Sequence, residues 1–342
     1  MCAAYPHEKL ALVITACMQL VWSMLAMCVT YLGYQKLSFY LVVFFRCCFG
    51  VIPMAIIAYL TEYKGKPFKL LPVLIAHKWI VPYWILIALC STYLNSNGFS
   101  WAYTFPDTTP VSGGVISPLP SIFVAAVGVC IGREKSTWLK WIGLFLGLAG
   151  CIVSLDPSAV VASFHEPGGI RDYYGRLLLI ATQVVYSAYA LLLPTLQRYL
   201  PPATIQCGNL CITLCIYLLT TKTMIPLFQE IIKYPLTVKA WFCLLYAGII
   251  CSACGFYSIT WCIKNVRETS ILLSFSNLAP ILNAIFGYAI YHDALNKWIA
   301  IGAVMIICAL SLIVYDKMRL IKKERLKAEE RELTMSSVEI TE

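Results

Sequence analysis

The chain has 342 residues, of which 60% are hydrophobic and 13% are charged. Soluble chains carry about 25% charged residues, so this composition excludes an ordinary soluble protein and indicates a chain that is solvated by lipid. The formal net charge is +9, but the basic residues lie mostly between apolar segments and in the C-terminal tail. That placement predicts membrane orientation and gives no support to a nucleic-acid partner.

Long apolar segments alternate with charges and turn residues along most of the sequence. A helix needs roughly 20 apolar residues to cross the hydrocarbon core, and lipid forces each such segment to satisfy its own backbone as an α-helix. Ten spans are predicted in chain order, at residues 10–32, 39–60, 79–101, 108–131, 138–155, 175–197, 204–221, 240–263, 269–291 and 298–315.

Short patterns recur between the two halves of the chain. Glu134 precedes Gly143 at the same interval by which Asp293 precedes Gly302, and Val-Trp-Ser at 21–23 returns as Val-Tyr-Ser in the sixth span. Because each half holds five spans, an odd number, the second half must insert upside down. The fold class predicted is therefore an all-α polytopic membrane protein with ten transmembrane helices as two inverted five-helix repeats.

Lysine and arginine set the predicted orientation, since most of those outside the spans fall on the side of the two termini, which we therefore place in the cytoplasm. The first apolar run is read as a retained span, and the protein as integral to the plasma membrane or an endomembrane. The predicted organisation is a cytoplasmic N-terminus, a first repeat, a non-cytoplasmic loop, a second repeat and a cytoplasmic charged tail, at residues 1–9, 10–155, 156–174, 175–315 and 316–342.

The acidic residues argue against an enzyme. All 17 of them lie in predicted loops, helix ends or the tail, so there is no paired carboxylate and no carboxylate relay at mid-membrane. No nucleophile with a nearby base and no histidine–glutamate metal pair is visible, and the 16 cysteines are interpreted as packing residues. We predict no catalysis, no metal and no cofactor, and assign Glu134 and Asp293 to helix N-termini.

Arg46 lies inside the second predicted span. A charged side chain there costs roughly 2.5–3.5 kcal/mol on insertion scales and must be compensated. Binding of a substrate carboxylate is one interpretation. The other is structural, with the side chain reaching toward the interface or bonding helix-end carbonyls, and the sequence leaves both open.

Uncharged polar residues recur in the spans of both halves. The first and sixth spans carry matching sets at i, i+3, i+4 spacing, which place them on one helix face. Such groups either line a shared cavity or bond across helices to hold the bundle together. The substrate-binding candidates are Gln19, Trp22, Arg46, Asn95, Gln183, Tyr186, Tyr257 and Asn277.

Prolines interrupt the fourth and ninth spans. Pro118 and Pro280 are predicted helix kinks, because proline removes a backbone hydrogen bond. Interrupted helices at matching positions of two halves point to a transport site. A kink that serves packing alone is the alternative.

These features resemble the drug/metabolite transporter superfamily with two EamA-type repeats. The resemblance rests on residues 94–103 continuing through Glu134 to Gly150, and on 246–252 continuing through Pro280 and Gly302. The segments 194–201 and 246–252 are most similar to the plant nodulin-like, walls-are-thin-related branch. The second repeat departs from the family's Gly-Glu pattern, since it has His292-Asp293.

The resemblance implies alternating access around a central cavity formed by the first, third, fourth, sixth, eighth and ninth spans. The predicted function is a secondary transporter or facilitator of small polar organic metabolites, with amino acids or similar zwitterions favoured. The alternatives are a nucleotide-sugar or phosphate-ester antiporter of an organelle and, third, a receptor or scaffold that transports nothing. The predicted partners are a small-molecule substrate and the lipid bilayer, and self-association into a homo-oligomer is left open.

Overall fold

The regular elements of the computed structural model are helices throughout the part of the chain that it describes. The described residues are 7–64, 70–105, 108–131, 137–154, 173–220, 225–229, 231, 235–266, 269–292 and 297–339. The connecting acids Glu134 and Asp293, and most of the predicted loop at 156–174, lie outside them.

Apart from a short helix at Leu70–Ala76, which was not predicted, the helices of the first half follow the predicted spans closely. They are α1 (Glu8–Tyr34), α2 (Phe39–Ala58), α3 (Leu70–Ala76), α4 (Ile80–Ala88), α5 (Asn95–Ala102), α6 (Pro110–Ile116), α7 (Leu119–Cys130) and α8 (Trp138–Ser154). Two π-helical segments extend or join them, Tyr59–Tyr63 after α2 and Leu89–Leu94 between α4 and α5.

The second half repeats this order. Its helices are α9 (Tyr174–Leu196), α10 (Pro202–Leu219), α11 (Val238–Leu245), α12 (Phe256–Asn265), α13 (Thr269–Ser274), α14 (Leu278–Tyr291) and α15 (Lys297–Glu339). A π-helical segment, Tyr246–Gly255, joins α11 to α12, and a 3₁₀ turn, Phe275–Asn277, joins α13 to α14.

The helices confirm the all-α membrane fold class. Within the described residues, seven helices are long and apolar enough to cross a membrane, and the bent pair of α3 with α4–α5, at 112°, is either an eighth, broken span or a re-entrant loop. Two shorter apolar helices, Trp138–Gly150 and Leu278–Tyr291, lie at the predicted fifth and ninth spans. The count of ten membrane crossings stays a prediction.

The helices pack as two equivalent halves. Two pairs join corresponding elements of the two halves: α2 with α10, and α8 with α15. Several other pairs occur twice with the halves exchanged, since α5 packs against α9 as α12 packs against α1, α7 against α9 as α14 against α1, and α6 against α14 as α13 against α7. The two halves are therefore interleaved, with α1 and α9 at equivalent central positions.

An acidic side chain joins the halves at the end of α2. Glu62 lies in the π-helical extension and accepts hydrogen bonds from the backbone N–H groups of Ala203 (2.6 Å) and Thr204 (2.8 Å). These are the free amides of the first turn of α10, where a carboxylate is stabilised by the helix dipole. The second span thus continues past its predicted end to Tyr63. Its extension includes Glu62, which caps the N-terminus of α10.

Close backbone contact between α2 and the Tyr246–Gly255 segment depends on glycine. A Cβ added to Gly248 would lie 2.6 Å from Cβ of Phe49 and 3.2 Å from the carbonyl oxygen of Arg46. Neither atom belongs to a flexible side-chain end, so the helices would have to separate.

We expect Gly248→Ala to destabilise the protein by about 1–3 kcal/mol through overpacking, seen as a lower midpoint of thermal unfolding in detergent. Gly255→Ala is the matched control in the same segment, since a Cβ there comes no closer than 3.3 Å to its neighbours. Equal unfolding midpoints for the two variants would show that the α2 contact is not tightly packed.

Candidate functional site

A cavity of about 120 Å³ lies inside the bundle. Its wall is contributed by residues of α1, α2, α5, α6, α7, α9, α12, α13 and α14, together with Ser117 and Ser276 at the two helix interruptions. These elements belong to both halves and correspond to the first, second, third, fourth, sixth, eighth and ninth predicted spans. The second span joins the six that the resemblance implies, because it supplies Arg46.

Most of the predicted binding residues meet at this cavity. Six of them line it: Gln19, Trp22, Arg46, Asn95, Gln183 and Tyr186. Tyr257 does not line it and packs instead against the apolar cluster around α2 and α10, while its neighbour Phe256 faces the cavity. The side chain of Asn277 lies outside the described part of the structure.

The predicted kinks fall close to the cavity, at slightly different places from those expected. Pro118 lies in the break between α6 and α7. Pro280 lies in the first turn of α14, so the break in that span is the 3₁₀ turn before it. Proline is tolerated in a first helical turn because the N–H there has no partner in any case.

Arg46 is the cationic side chain of the cavity wall. It is only 2% exposed and lies well inside α2, so it does not extend to the membrane interface. Its Nε donates a hydrogen bond to Oγ of Ser252 at 3.1 Å. Among the described residues no carboxylate forms an ion pair with it, and the terminal nitrogens of the guanidinium make no hydrogen bond.

Ser252 owes its position to the π-helical segment. Its hydroxyl donates to the carbonyl oxygen of Ala247, five residues earlier, at 2.9 Å, while it accepts from Arg46. An i→i−5 backbone spacing rotates the residues that follow relative to an α-helix, and π-helical turns occur frequently at functional sites. The corresponding segment of the first half, Leu89–Leu94, directly precedes Asn95, which also lines the cavity.

A network of buried side-chain hydrogen bonds connects the backbone of Ser252 to α10 and α4. Nε2 of Gln206 donates to the carbonyl oxygen of Ser252 at 3.1 Å, and Nε1 of Trp84 donates to Oδ1 of Asn209 at 3.1 Å. Gln206 and Asn209 are fully buried and lie 3.5 Å apart at their side-chain amides. A satisfied polar network of this kind holds its members rigidly, since breaking it leaves polar groups buried in apolar surroundings.

Aromatic rings form much of the remaining wall. Trp22 packs edge-to-face on Phe256 with ring centroids 4.9 Å apart. Phe99 and Tyr103 pack on each other at 4.9 Å and follow Asn95 at four-residue intervals on α5. The sequence interpretation missed these two rings, although the i, i+4, i+8 spacing from Asn95 would have indicated them.

The polar residues of the wall differ in how far they are already satisfied. Nδ2 of Asn95 donates to the carbonyl oxygen of Thr182 at 3.1 Å, so this amide also ties α5 to α9. Nε2 of Gln19 makes only a long contact, 3.4 Å, to the carbonyl oxygen of Thr15. The cavity therefore offers one guanidinium, several amides and hydroxyls, and aromatic faces, and no carboxylate among the described residues.

A helical membrane protein built from two equivalent interleaved halves around a central polar cavity has the architecture of a transporter. Comparison with family models gives the same class from the sequence. The EamA-like transporter family matches twice, at residues 9–155 and 173–315. The chain belongs to the EamA-like transporter family, within the drug/metabolite transporter superfamily, and is a membrane transporter of small solutes by family.

Solved structures agree with the fold. One of 28 matching chains, described only as a crystal structure of a protein, aligns with a TM-score of 0.58 at 17% identity. The alignment covers 90% of this chain and 97% of that one. No curated protein sequence matches this chain, so the resemblance to the plant branch stays a prediction.

Gly113 makes room for a ring of the cavity wall and provides a test of the site. A Cβ at Gly113 would overlap the hydroxyl of Tyr103 and lie 2.9 Å from its ring carbon Cζ. We expect Gly113→Ala to displace the ring and to lower the transport rate in proteoliposomes by about tenfold or more, since small misplacements in a site are costly.

The second variant Tyr103→Phe removes the overlapping hydroxyl. In that background Gly113→Ala should cost much less activity, because interacting neighbours are not additive. Additive losses in the double variant would mean that Gly113 does not act through Tyr103.

Proposed function

We propose that the protein transports small polar organic metabolites that carry a carboxylate, with amino acids or similar zwitterions favoured, by alternating access of its central cavity. The observation that supports this most directly is Arg46, a buried guanidinium in the cavity wall with no carboxylate partner in the described part of the chain. The orientation proposed with it has both termini in the cytoplasm, in the plasma membrane or an endomembrane.

The positive charge of Arg46 is not neutralised by any carboxylate among the described residues. A buried cation costs several kcal/mol unless an anion or several hydrogen-bond acceptors compensate it. Ser252 accepts one hydrogen bond from Nε, which leaves the terminal nitrogens of the guanidinium to be satisfied. A substrate carboxylate fits this need, because two parallel N–H···O bonds match the two carboxylate oxygens.

The size and composition of the cavity favour a small substrate. Its volume of about 120 Å³ is below the roughly 300–1,000 Å³ typical of pockets for drug-sized ligands. Neutral amides, hydroxyls and aromatic faces suit the uncharged and ammonium parts of a metabolite better than a second anion.

Alternating access is supported by the contacts on either side of the cavity. Near the N-terminal end of α1, the thiol of Cys262 contacts the carbonyl oxygen of Ala11. Toward the C-terminal end of α1, the hydroxyl of Tyr291 donates a hydrogen bond to the carbonyl oxygen of Met27 at 2.7 Å. The helix thus contacts α12 on one side and α14 on the other. Release of one contact set at a time would open the cavity to one side of the membrane.

A nucleotide-sugar or phosphate-ester antiporter is the second candidate. Dianionic phosphates call for several buried cations, whereas Arg46 is the one cationic residue among the described residues of the cavity wall. The small volume of the cavity also disfavours a substrate as large as a nucleotide sugar.

The first test is counterflow in proteoliposomes of the purified protein with labelled amino acids, auxin-like acids, nucleotide sugars and phosphate esters. We expect counterflow of amino acids and none of nucleotide sugars. Counterflow of nucleotide sugars alone would reject the proposal in favour of the antiporter.

Arg46→Ala should weaken the binding of every transported carboxylate by about tenfold or more, because the charged partner is lost. Ser252→Ala should give a smaller loss in the same direction by releasing Nε, and Ser252→Thr, which keeps the hydroxyl, should retain most of the affinity. The readout is KM for counterflow, with thermal unfolding as the folding control. Unchanged KM in folded, inserted Arg46→Ala protein would remove the binding role.

A further inference from the structure

Two polar atoms in the cavity wall have no hydrogen-bond partner among the described residues. Oγ of Ser23 on α1 and Oδ1 of Asn283 on α14 are buried, in side chains that are 1% and 4% exposed. Neither atom has a hydrogen-bond partner in the described structure, and both residues line the cavity. Burying a polar atom without a partner is costly, so atoms of this kind call for an explanation.

The second repeat shows that Ser23 could have been satisfied within its own helix. Its counterpart Ser187, in the matching Val-Tyr-Ser sequence, is equally buried and donates to the carbonyl oxygen of Gln183 at 2.7 Å. On α1 itself, Thr15 and Thr30 make the same i→i−4 bond, at 2.8 and 2.9 Å. Ser23 does not make it, and unlike Ser187 it faces the cavity.

Gly114, in the first half, leaves space for the side chain of Asn283. A Cβ on Gly114 of α6 would lie 2.6 Å from Cβ of Asn283 and 2.7 Å from its Nδ2. Glycine therefore leaves the room that the amide occupies. An amide oxygen accepts hydrogen bonds and does not donate them, so the unpaired Oδ1 selects a donor.

The two atoms and Arg46 come from different parts of the bundle. Ser23 and Asn283 stand on α1 and α14, which pack against each other, and Arg46 stands on α2, which packs against α10 and the Tyr246–Gly255 segment. The cavity thus combines a cation from α2 with unpaired oxygens from α1 and α14.

We propose that Ser23 and Asn283 bind the ammonium group of the substrate whose carboxylate binds Arg46. This rests on the proposed function and adds the second point of recognition. An ammonium offers three N–H donors, enough for both oxygens, and the aromatic rings of the wall attract a cation as well. Recognition through neutral oxygens leaves the charge of Arg46 free for the carboxylate.

The experiment measures how the protein distinguishes an amino acid from its deaminated acid. Inhibition of counterflow is compared for three matched pairs: L-alanine with propionate, L-leucine with 4-methylpentanoate, and L-phenylalanine with 3-phenylpropionate. We expect the wild-type protein to bind the amino acid of at least one pair about tenfold or more tightly, because the deaminated acid leaves both oxygens unpaired. In Asn283→Leu and Ser23→Ala that ratio should fall toward one, while affinity for the deaminated acid stays within about twofold.

A stability comparison keeps the test independent of transport. Ser23→Ala removes a hydroxyl with no partner, so the midpoint of thermal unfolding without substrate should be unchanged or raised. The matched control Ser187→Ala removes a hydroxyl that donates a hydrogen bond, so it should lower the midpoint of thermal unfolding. A midpoint lowered as much by Ser23→Ala as by Ser187→Ala would show a structural partner for Ser23 and overturn the proposal.

The outcomes separate the two proposals. An amino-acid preference that both variants retain would overturn the ammonium site, and so would a wild-type protein that binds both members of every pair alike. In the latter case the carboxylate role of Arg46 stands. If none of the six compounds inhibits counterflow of any transported solute, both proposals fall.

Discussion

The constraint on which this structure depends is that a bundle in lipid has no water to satisfy its buried polar groups. The chain meets it in three ways. Backbone groups bond within helices, many polar side chains bond to the carbonyl of the preceding turn, and Arg46 bonds to Ser252 across helices. Five buried side-chain oxygens in the described part of the chain have no hydrogen-bond partner, and two of them, those of Ser23 and Asn283, lie at the cavity, where the proposed substrate would supply the partners that lipid cannot.

Duplication explains why the site has its shape. Helices of the two halves pack against each other, and both halves contribute to the cavity wall. Gln19 and Gln183 illustrate this, because they occupy matching positions of α1 and α9 and both line the cavity. The halves nevertheless differ at the cavity. Arg46 lies in the first half, and the oxygen of Ser23 has no partner among the described residues, whereas Ser187 donates a hydrogen bond within its own helix.

Much of this was predictable from the sequence because lipid ties composition to structure. Uninterrupted apolar length locates helices, and polar residues inside such a length are conspicuous, so six of the eight binding candidates lie at the cavity. Their role in binding stays a prediction. The π-helical segments were not predicted. They depend on local hydrogen bonds such as that from Ser252 to Ala247, which apolar periodicity does not encode. Tyr257 follows such a segment and lies away from the cavity, because a helix with a π-helical segment turns its later residues relative to an unbroken α-helix.

Fold and specificity depend on features of different scale in this protein. Apolar length and repetition act over whole spans, and they identify a membrane transporter without reference to any single side chain. Whether an amide faces a cavity or a neighbouring helix depends on a rotation of a fraction of a turn. Asn95 shows this, because its amide bonds to α9 and lines the cavity at once. The substrate preference proposed for this cavity therefore depends on a few unsatisfied atoms, whose partners the apolar pattern of the sequence does not specify.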